Sequence, residues 1–199
     1  MPRTAEANQQ IREERRAKIL EAAWKVFARQ GRAMTMAEVA AAASVGYGLV
    51  YHYFASKEEM LYALIAHTLH SQEAAFQHFA ELPGTPGERL DHLVARLVAT
   101  RRDHPEFAQL LAQVLSDAAT PADLREQAVQ YGQAFQALLR RLIVEGQATG
   151  EVRTADPDQL VTAVLAALDG LTRLALLDPE RFHQHFPDES ILQGMLKPS

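Results

Sequence analysis

The chain has 199 residues, 48% hydrophobic and 23% charged, which suits one or two globular domains with a full core. It contains no cysteine, which rules out a disulfide framework, a thiolate nucleophile and cysteine-ligated zinc. The formal net charge is −5 but unevenly spread: residues 1–57 carry nine Lys/Arg against five Asp/Glu, and residues 58–199 carry eleven against twenty.

Residues 1–11 are polar and expected to be disordered, and the N-terminus lacks the apolar core of a signal peptide. A first helix is predicted from about Gln10 to Gln30, burying Ile19, Ala23 and Phe27 with Leu20 and Trp24 beside them, and stopping at Gly31. Arg12, Arg15 and Arg16 on this helix can reach nucleic acid, or pair along the helix with Glu13 and Glu14.

Three helix starts then follow in under thirty residues. Thr35 and Glu38 form a T-x-x-E capping box, in which hydroxyl and carboxylate each satisfy an orphan backbone N–H. The box starts a short helix ending near Ala42, with Met36, Val39 and Ala40 on one buried side. After an Ala43-Ser44-Val45 turn, a second short helix runs from about Gly46 to Phe54, with Val50 and Phe54 on its apolar face. Ser56-Lys57-Glu58-Glu59 repeats the box and opens a longer helix that Pro83-Gly84 ends near Leu82. Two short helices across a tight turn are the sequence form of a helix-turn-helix. The uncharged run Val39–Ser56 is long enough for a membrane helix, but its glycines, serines, tyrosines and histidine argue against one.

Downstream, Thr85-Pro86, Thr120-Pro121 and Asp156-Pro157 each set a cap residue before a proline, and His104-Pro105 adds a break. The predicted helices are 86–103, 105–117, 121–147 and 157–177, with a short last one near 188–197. No strand pattern or internal repeat stands out. The expected fold is all-α with about nine helices: a helix-turn-helix domain at 1–56 and a larger helical domain at 57–199. Helix 157–177 is apolar nearly all round, so it is either a central core helix or packs on a second copy of the chain. Its Asp169 and Arg173, at i, i+4, read as a partly buried ion pair.

The segment Ile19 to Lys57 resembles the DNA-binding domain of tetracycline-repressor-type (TetR family) regulators. The resemblance rests on Ile19, Ala22, Ala23, Phe27, Gly31, Thr35, Ala40, Val45, Gly48, Tyr51, Phe54 and Ser56-Lys57-Glu58 in order and spacing. Ser44 stands where the family usually has Gly, and Gly46 where it usually has Ser. On the second short helix, Tyr47 and Leu49 are placed to read bases, with Gly46 and Gly48 leaving room. Gly48 equally suits close approach to a neighbouring helix. Tyr51, His52 and Lys57 are phosphate candidates, and Thr35 through its backbone; Tyr51 also reads as a half-buried core aromatic and Lys57 as a solvated lysine.

The resemblance implies a homodimer formed by the last two helices as a four-helix bundle, for which Leu160, Val164, Leu168, Leu171, Leu192 and Met195 are the candidates. It also implies a small-molecule effector among the middle helices. His67, Phe76, Phe107, Gln113, Tyr131 and Phe135 are candidates for that pocket, though each reads more readily as ordinary core. The apolar makeup points to an apolar effector. The implied function is a ligand-responsive regulator, most commonly a repressor, released from a near-palindromic double-stranded DNA operator in the cytoplasm. An enzyme is the main rival: His67/His70 and His183-x-His185 invite a metal, but no HExxH, GxSxG or P-loop occurs. No catalytic residue, metal or cofactor is expected, nor a membrane. A helical adaptor without DNA binding is the second rival, separable by salt-dependent DNA binding.

Overall fold

The protein is described by a computed structural model, which describes the backbone of residues 5–198 and the side chains of 9–70, 78–112 and 114–198. It divides into two compact units, residues 1–68 and 69–199. Among the described residues there is no strand.

The first unit is built from α1 (Ala5–Gln30), a 3-10 turn (Gly31–Ala33), α2 (Met36–Ala42), α3 (Tyr47–Tyr53) and the start of α4 (Lys57–Glu81). Helix α1 begins ahead of the expected Gln10, so the polar segment from Ala5 is helical. Gln9 donates to Glu13 at 2.7 Å and Gln10 to Glu14 at 3.4 Å, one turn apart, which sustains a helix with no apolar face. Gly31 stops α1 with φ of +55°, a conformation that costs other residues dearly. The buried side chains are Ile19, Leu20, Ala23, Val26 and Phe27 from α1, Met36, Val39 and Ala40 from α2, Val50 from α3, and Phe54, Met60, Leu61, Leu64 and Ile65 around the start of α4.

The α2–α3 turn is a Schellman motif made without glycine. The Ser44 N–H donates to the Ala41 carbonyl at 3.1 Å and the Val45 N–H to the Ala40 carbonyl at 3.0 Å. Both bonds require the intervening residue to be left-handed, and Ser44 complies with φ of +55°. At the head of α4 the Ser56 hydroxyl accepts from the Glu59 N–H at 3.1 Å, while the Glu59 carboxylate reaches back to the Ala55 N–H at 2.7 Å.

The second unit contains the rest of α4 with α5 (Pro86–Asp103), α6 (Pro105–Ser116), α7 (Ala122–Ala148), α8 (Pro157–Leu177), α9 (Pro179–Gln184) and α10 (Glu189–Gly194). Its core joins Leu90, Leu93, Val94 and Val98 of α5, Leu138, Leu139, Leu142 and Ile143 of α7, and Val161, Val164 and Leu168 of α8. Thr85 with Glu88 forms a complete capping box on α5, and the Asp156 carboxylate caps α8. Thr120 does not cap α7: its hydroxyl is buried without a partner and the helix starts at Ala122. Helix α9 goes beyond the nine expected. Asp178-Pro179 is one more cap-and-proline pair, whose carboxylate accepts from the Arg181 N–H at 3.0 Å, and six residues are too few to show a periodic face.

The six residues expected at a dimer seam divide sharply. Leu160, Val164, Leu168, Leu171 and Leu192 are buried within this unit, and Met195 is exposed. Positions 160, 164, 168 and 171 form one stripe of α8, and that stripe meets the chain's own core. Its opposite side carries Ala166, Gly170 and Arg173, all exposed, and ends at Leu176 and Leu177, which are 66% and 73% exposed. Helix α8 is long and apolar enough to cross a membrane by length and composition, but its buried stripe packs on α5 and α7. Asp169 and Arg173 are both exposed and form no ion pair among the described residues, correcting the partly buried pair expected. Helix α10 is tied to α5 by Gln193, which donates to the Asp91 carbonyl at 3.0 Å, and by Lys197, which pairs with the Asp91 carboxylate.

Candidate nucleic-acid interface

Helix α3 buries only Val50, with Leu49 and Val45 half-buried beside it. Everything else polar or aromatic on it faces outward or lies at its flank. Tyr47 and Tyr51, one turn apart, are 54% and 41% exposed. Their rings lie 4.9 Å apart, and the Tyr47 hydroxyl donates to the Tyr51 hydroxyl at 3.2 Å. That hydrogen bond raises the Tyr51 phenol above its ordinary 10.0. Tyr51 is therefore a surface aromatic and not a core one. His52 is exposed on the same helix, its ring edge-on to Tyr53 at 5.4 Å.

Gly46 and Gly48 are exposed, and a Cβ built on either meets nothing within 4 Å. Close approach to a neighbouring helix is thus no reason for Gly48; the space it leaves lies on the outer side of α3. The unit so presents a seven-residue helix with two phenols, an imidazole and two side-chain-free positions on one outer surface, a size and shape that enter a DNA major groove.

Thr35 and Lys57 stand differently from expectation. The Thr35 N–H is taken by the Glu38 carboxylate at 2.8 Å, so it has no donor left for a phosphate. Hydrogen bonding from Thr35 holds the Glu38 carboxyl below its ordinary 4.5, which keeps the box charged. The Lys57 ammonium donates to the carbonyl of Arg32, the middle residue of the 3-10 turn and a partner 25 residues away in sequence. Lys57 is half-buried and pinned, not a freely solvated lysine, with its remaining N–H donors available to an anion. On α1, Arg16 stacks 5.1 Å over the Phe54 ring. Arg12, Arg15 and Arg16 form no ion pair with Glu13 or Glu14 among the described residues; those carboxylates accept from Gln9 and Gln10.

For the effector candidates, Phe107 on α6 and Phe135 on α7 are buried, and Tyr131 on α7 is half-buried against the core of the second unit. Burial raises the Tyr131 phenol above its ordinary 10.0. His67 is exposed and belongs to the first unit. The side chains of Phe76 and Gln113 lie outside the described residues. One charged side chain near Tyr131 was not singled out in the sequence: Arg101, in the last turn of α5, is half-buried. Its neighbour Arg102 disguises it, since a pair of arginines at a helix C-terminus is what the helix dipole favours anyway. Among the described residues, no three His, Asp or Glu side chains come together as a metal site.

Comparison with known proteins bears on both units. Residues 19–64 match the model for bacterial regulatory proteins of the tetR family, and residues 86–187 match that for the C-terminal domain of BetI-type transcriptional repressors. The chain is 30% identical to the HTH-type transcriptional regulator BetI of Rhizobium meliloti over 160 residues, covering 79% of this chain and 75% of the relative. It is 26% identical to the HTH-type transcriptional repressor KstR of Mycolicibacterium smegmatis, over 73% of this chain and 71% of that one. Among solved structures, a TetR transcription regulator from Haloarcula marismortui superposes with a TM-score of 0.69 at 19% identity, over 93% of this chain and 99% of that one.

Proposed function

The chain belongs to the tetR family of bacterial regulatory proteins and is a helix-turn-helix DNA-binding transcription regulator, not an enzyme; from that premise we propose that it is a repressor. It binds a near-palindromic operator as a homodimer in the cytoplasm and leaves it when a small, mainly apolar effector binds the helical unit. DNA recognition belongs to residues 1–56, and effector binding and pairing to residues 57–199.

The observation that carries this reading is α3, which spends one side chain on the core and leaves paired tyrosine hydroxyls outside. Tyr47 and Leu49 read base edges, with Gly46 and Gly48 admitting the groove wall. Tyr51, His52 and the pinned Lys57 meet phosphates, and Thr35 serves by fixing the start of α2. The second copy packs on the outer side of α8, at the exposed Leu176 and Leu177, and on the exposed Ile191 and Met195 of the C-terminal segment. Phe107, Tyr131 and Phe135 line the effector's surroundings, with His67, Phe76 and Gln113 as further candidates.

Selection of bound fragments from a random DNA pool tests the reading. The expected product is an inverted repeat whose half-site centres lie about 34 Å apart or a multiple of that. Its affinity falls steeply as salt rises, because phosphate contacts release counterions. A pool that enriches no sequence at low salt overturns the proposal. Lys57→Ala is expected to weaken operator and random DNA alike, whereas Tyr47→Ala changes the sequence selected.

A further inference from the structure

Arg101 and Arg102 share the last turn of α5 and meet opposite fates. The Arg102 Nε donates to the Asp103 carboxylate at 2.9 Å, in the open. The Arg101 Nε is closed off from solvent and finds no hydrogen-bond partner among the described residues. Burial lowers its guanidinium from the ordinary arginine value, an effect opposed by Tyr131 of α7 and Asp169 of α8. Asp169 is itself exposed and forms no ion pair with Arg101 among the described residues.

A half-buried guanidinium whose Nε is shut off from water without a salt partner costs free energy that a folded chain ordinarily recovers with a carboxylate, or avoids with an apolar residue of similar size. Arg101 does neither. The three helices that carry Arg101, Tyr131 and Asp169 pack against one another. Leu97 lies one turn before it on α5, Phe135 one turn after Tyr131, and Leu165 one turn before Asp169; all three belong to or pack against the core cluster. A single cation beside an apolar wall matches a molecule with one anionic end and an apolar body.

We propose that Arg101 anchors the anionic head, a carboxylate or a phosphate, of an effector whose apolar body lies along Leu97, Phe135 and Leu165. The planar guanidinium fork suits either head by paired N–H bonds. This rests on the effector-binding role assigned above to the helical unit, and it narrows the effector from an apolar molecule to an anionic amphiphile.

Calorimetric titration of the whole chain, without DNA, with laurate, dodecyl phosphate and dodecanol tests it. These probes share one alkyl chain and differ in the head. At least one charged probe is expected to bind about tenfold or more tighter than dodecanol, and the better of the two identifies the head. Arg101→Gln removes that advantage while leaving dodecanol affinity in place, and Arg101→Lys keeps part of it. If Arg101→Gln does not fold, the Lys variant decides, since a point charge without the fork retains charge preference but loses affinity for both anions. Equal binding of the three probes, binding of none, or a charge preference that survives in the folded Gln variant overturns the anchor. DNA selection on the same protein separates the two claims: a chain that selects an operator yet treats the probes alike loses only the anchor. One that binds laurate through Arg101 yet selects no DNA loses only the regulatory reading.

Discussion

Helices α3 and α8 both leave much of their surface uncovered, but in different chemical currencies. Helix α3 buries Val50 and presents hydroxyls, an imidazole and bare backbone; α8 buries five residues and presents alanine, glycine, the charged Asp169 and Arg173, and two leucines at its end. Hydrogen-bonding groups left outside can wait in water at little cost, whereas aliphatic carbon left outside gains free energy when covered, about 25 cal/mol for each Å². The contrast teaches what chemistry each surface suits: the first a wet, polar partner and the end of the second a dry one.

The largest expected effect comes from breaking the dry surface. Replacing Leu176 and Leu177 together by Glu should leave a single-chain mass in sedimentation equilibrium and lower operator affinity by about a hundredfold or more, since two linked half-sites become independent. An unchanged mass would place the dry contact elsewhere on the chain. At the wet surface, Tyr47→Phe or Tyr51→Phe should each cost about 1 kcal/mol of operator binding by fluorescence anisotropy, the worth of one hydrogen bond, with folding stability unchanged. A loss of stability instead would mean that the hydroxyl pair holds the unit together.

The turns that lead into the two helices sharpen the comparison further. Ser44→Gly before α3 should raise the unfolding free energy by about 1 kcal/mol in urea titration, because φ of +55° strains any residue with a Cβ. Before α8, Glu151 accepts from Thr149 at 2.6 Å, from Thr85 and from the Gly87 N–H at 3.4 Å. Those bonds, led by the one from Thr149, hold its carboxyl below 4.5. A depressed folded value means stability that is present above 4.5 and lost as pH falls through the lower value. Glu151→Gln should therefore flatten the acid limb of the thermal midpoint against pH, a small shift that an unaltered acid limb would refute.

Much of this was legible because it is local. The capping box at Thr35 and the cap residues at Thr85 and Asp156 need only three or four residues to specify them, and all three form. The helix-turn-helix was readable for the same reason. What escaped was settled by distance. Lys57 meets the Arg32 carbonyl across 25 residues, and nothing near Lys57 announces that partner. On α8 two apolar stripes compete, and periodicity alone does not say which one faces α5 and α7. The stripe with the larger side chains went inward, so most residues expected at the seam became core. Arg101 and Arg102 are adjacent and identical in type, and only the packing of α5 turns one inward.

The uncovered end of α8 also ties the protein's action to its abundance. If Leu176 and Leu177 are sheltered only when two chains meet, the population of paired molecules rises with the square of chain number at low copy number. Halving expression would then cut operator occupancy by more than half, and dilution during cell growth would by itself begin to lift repression.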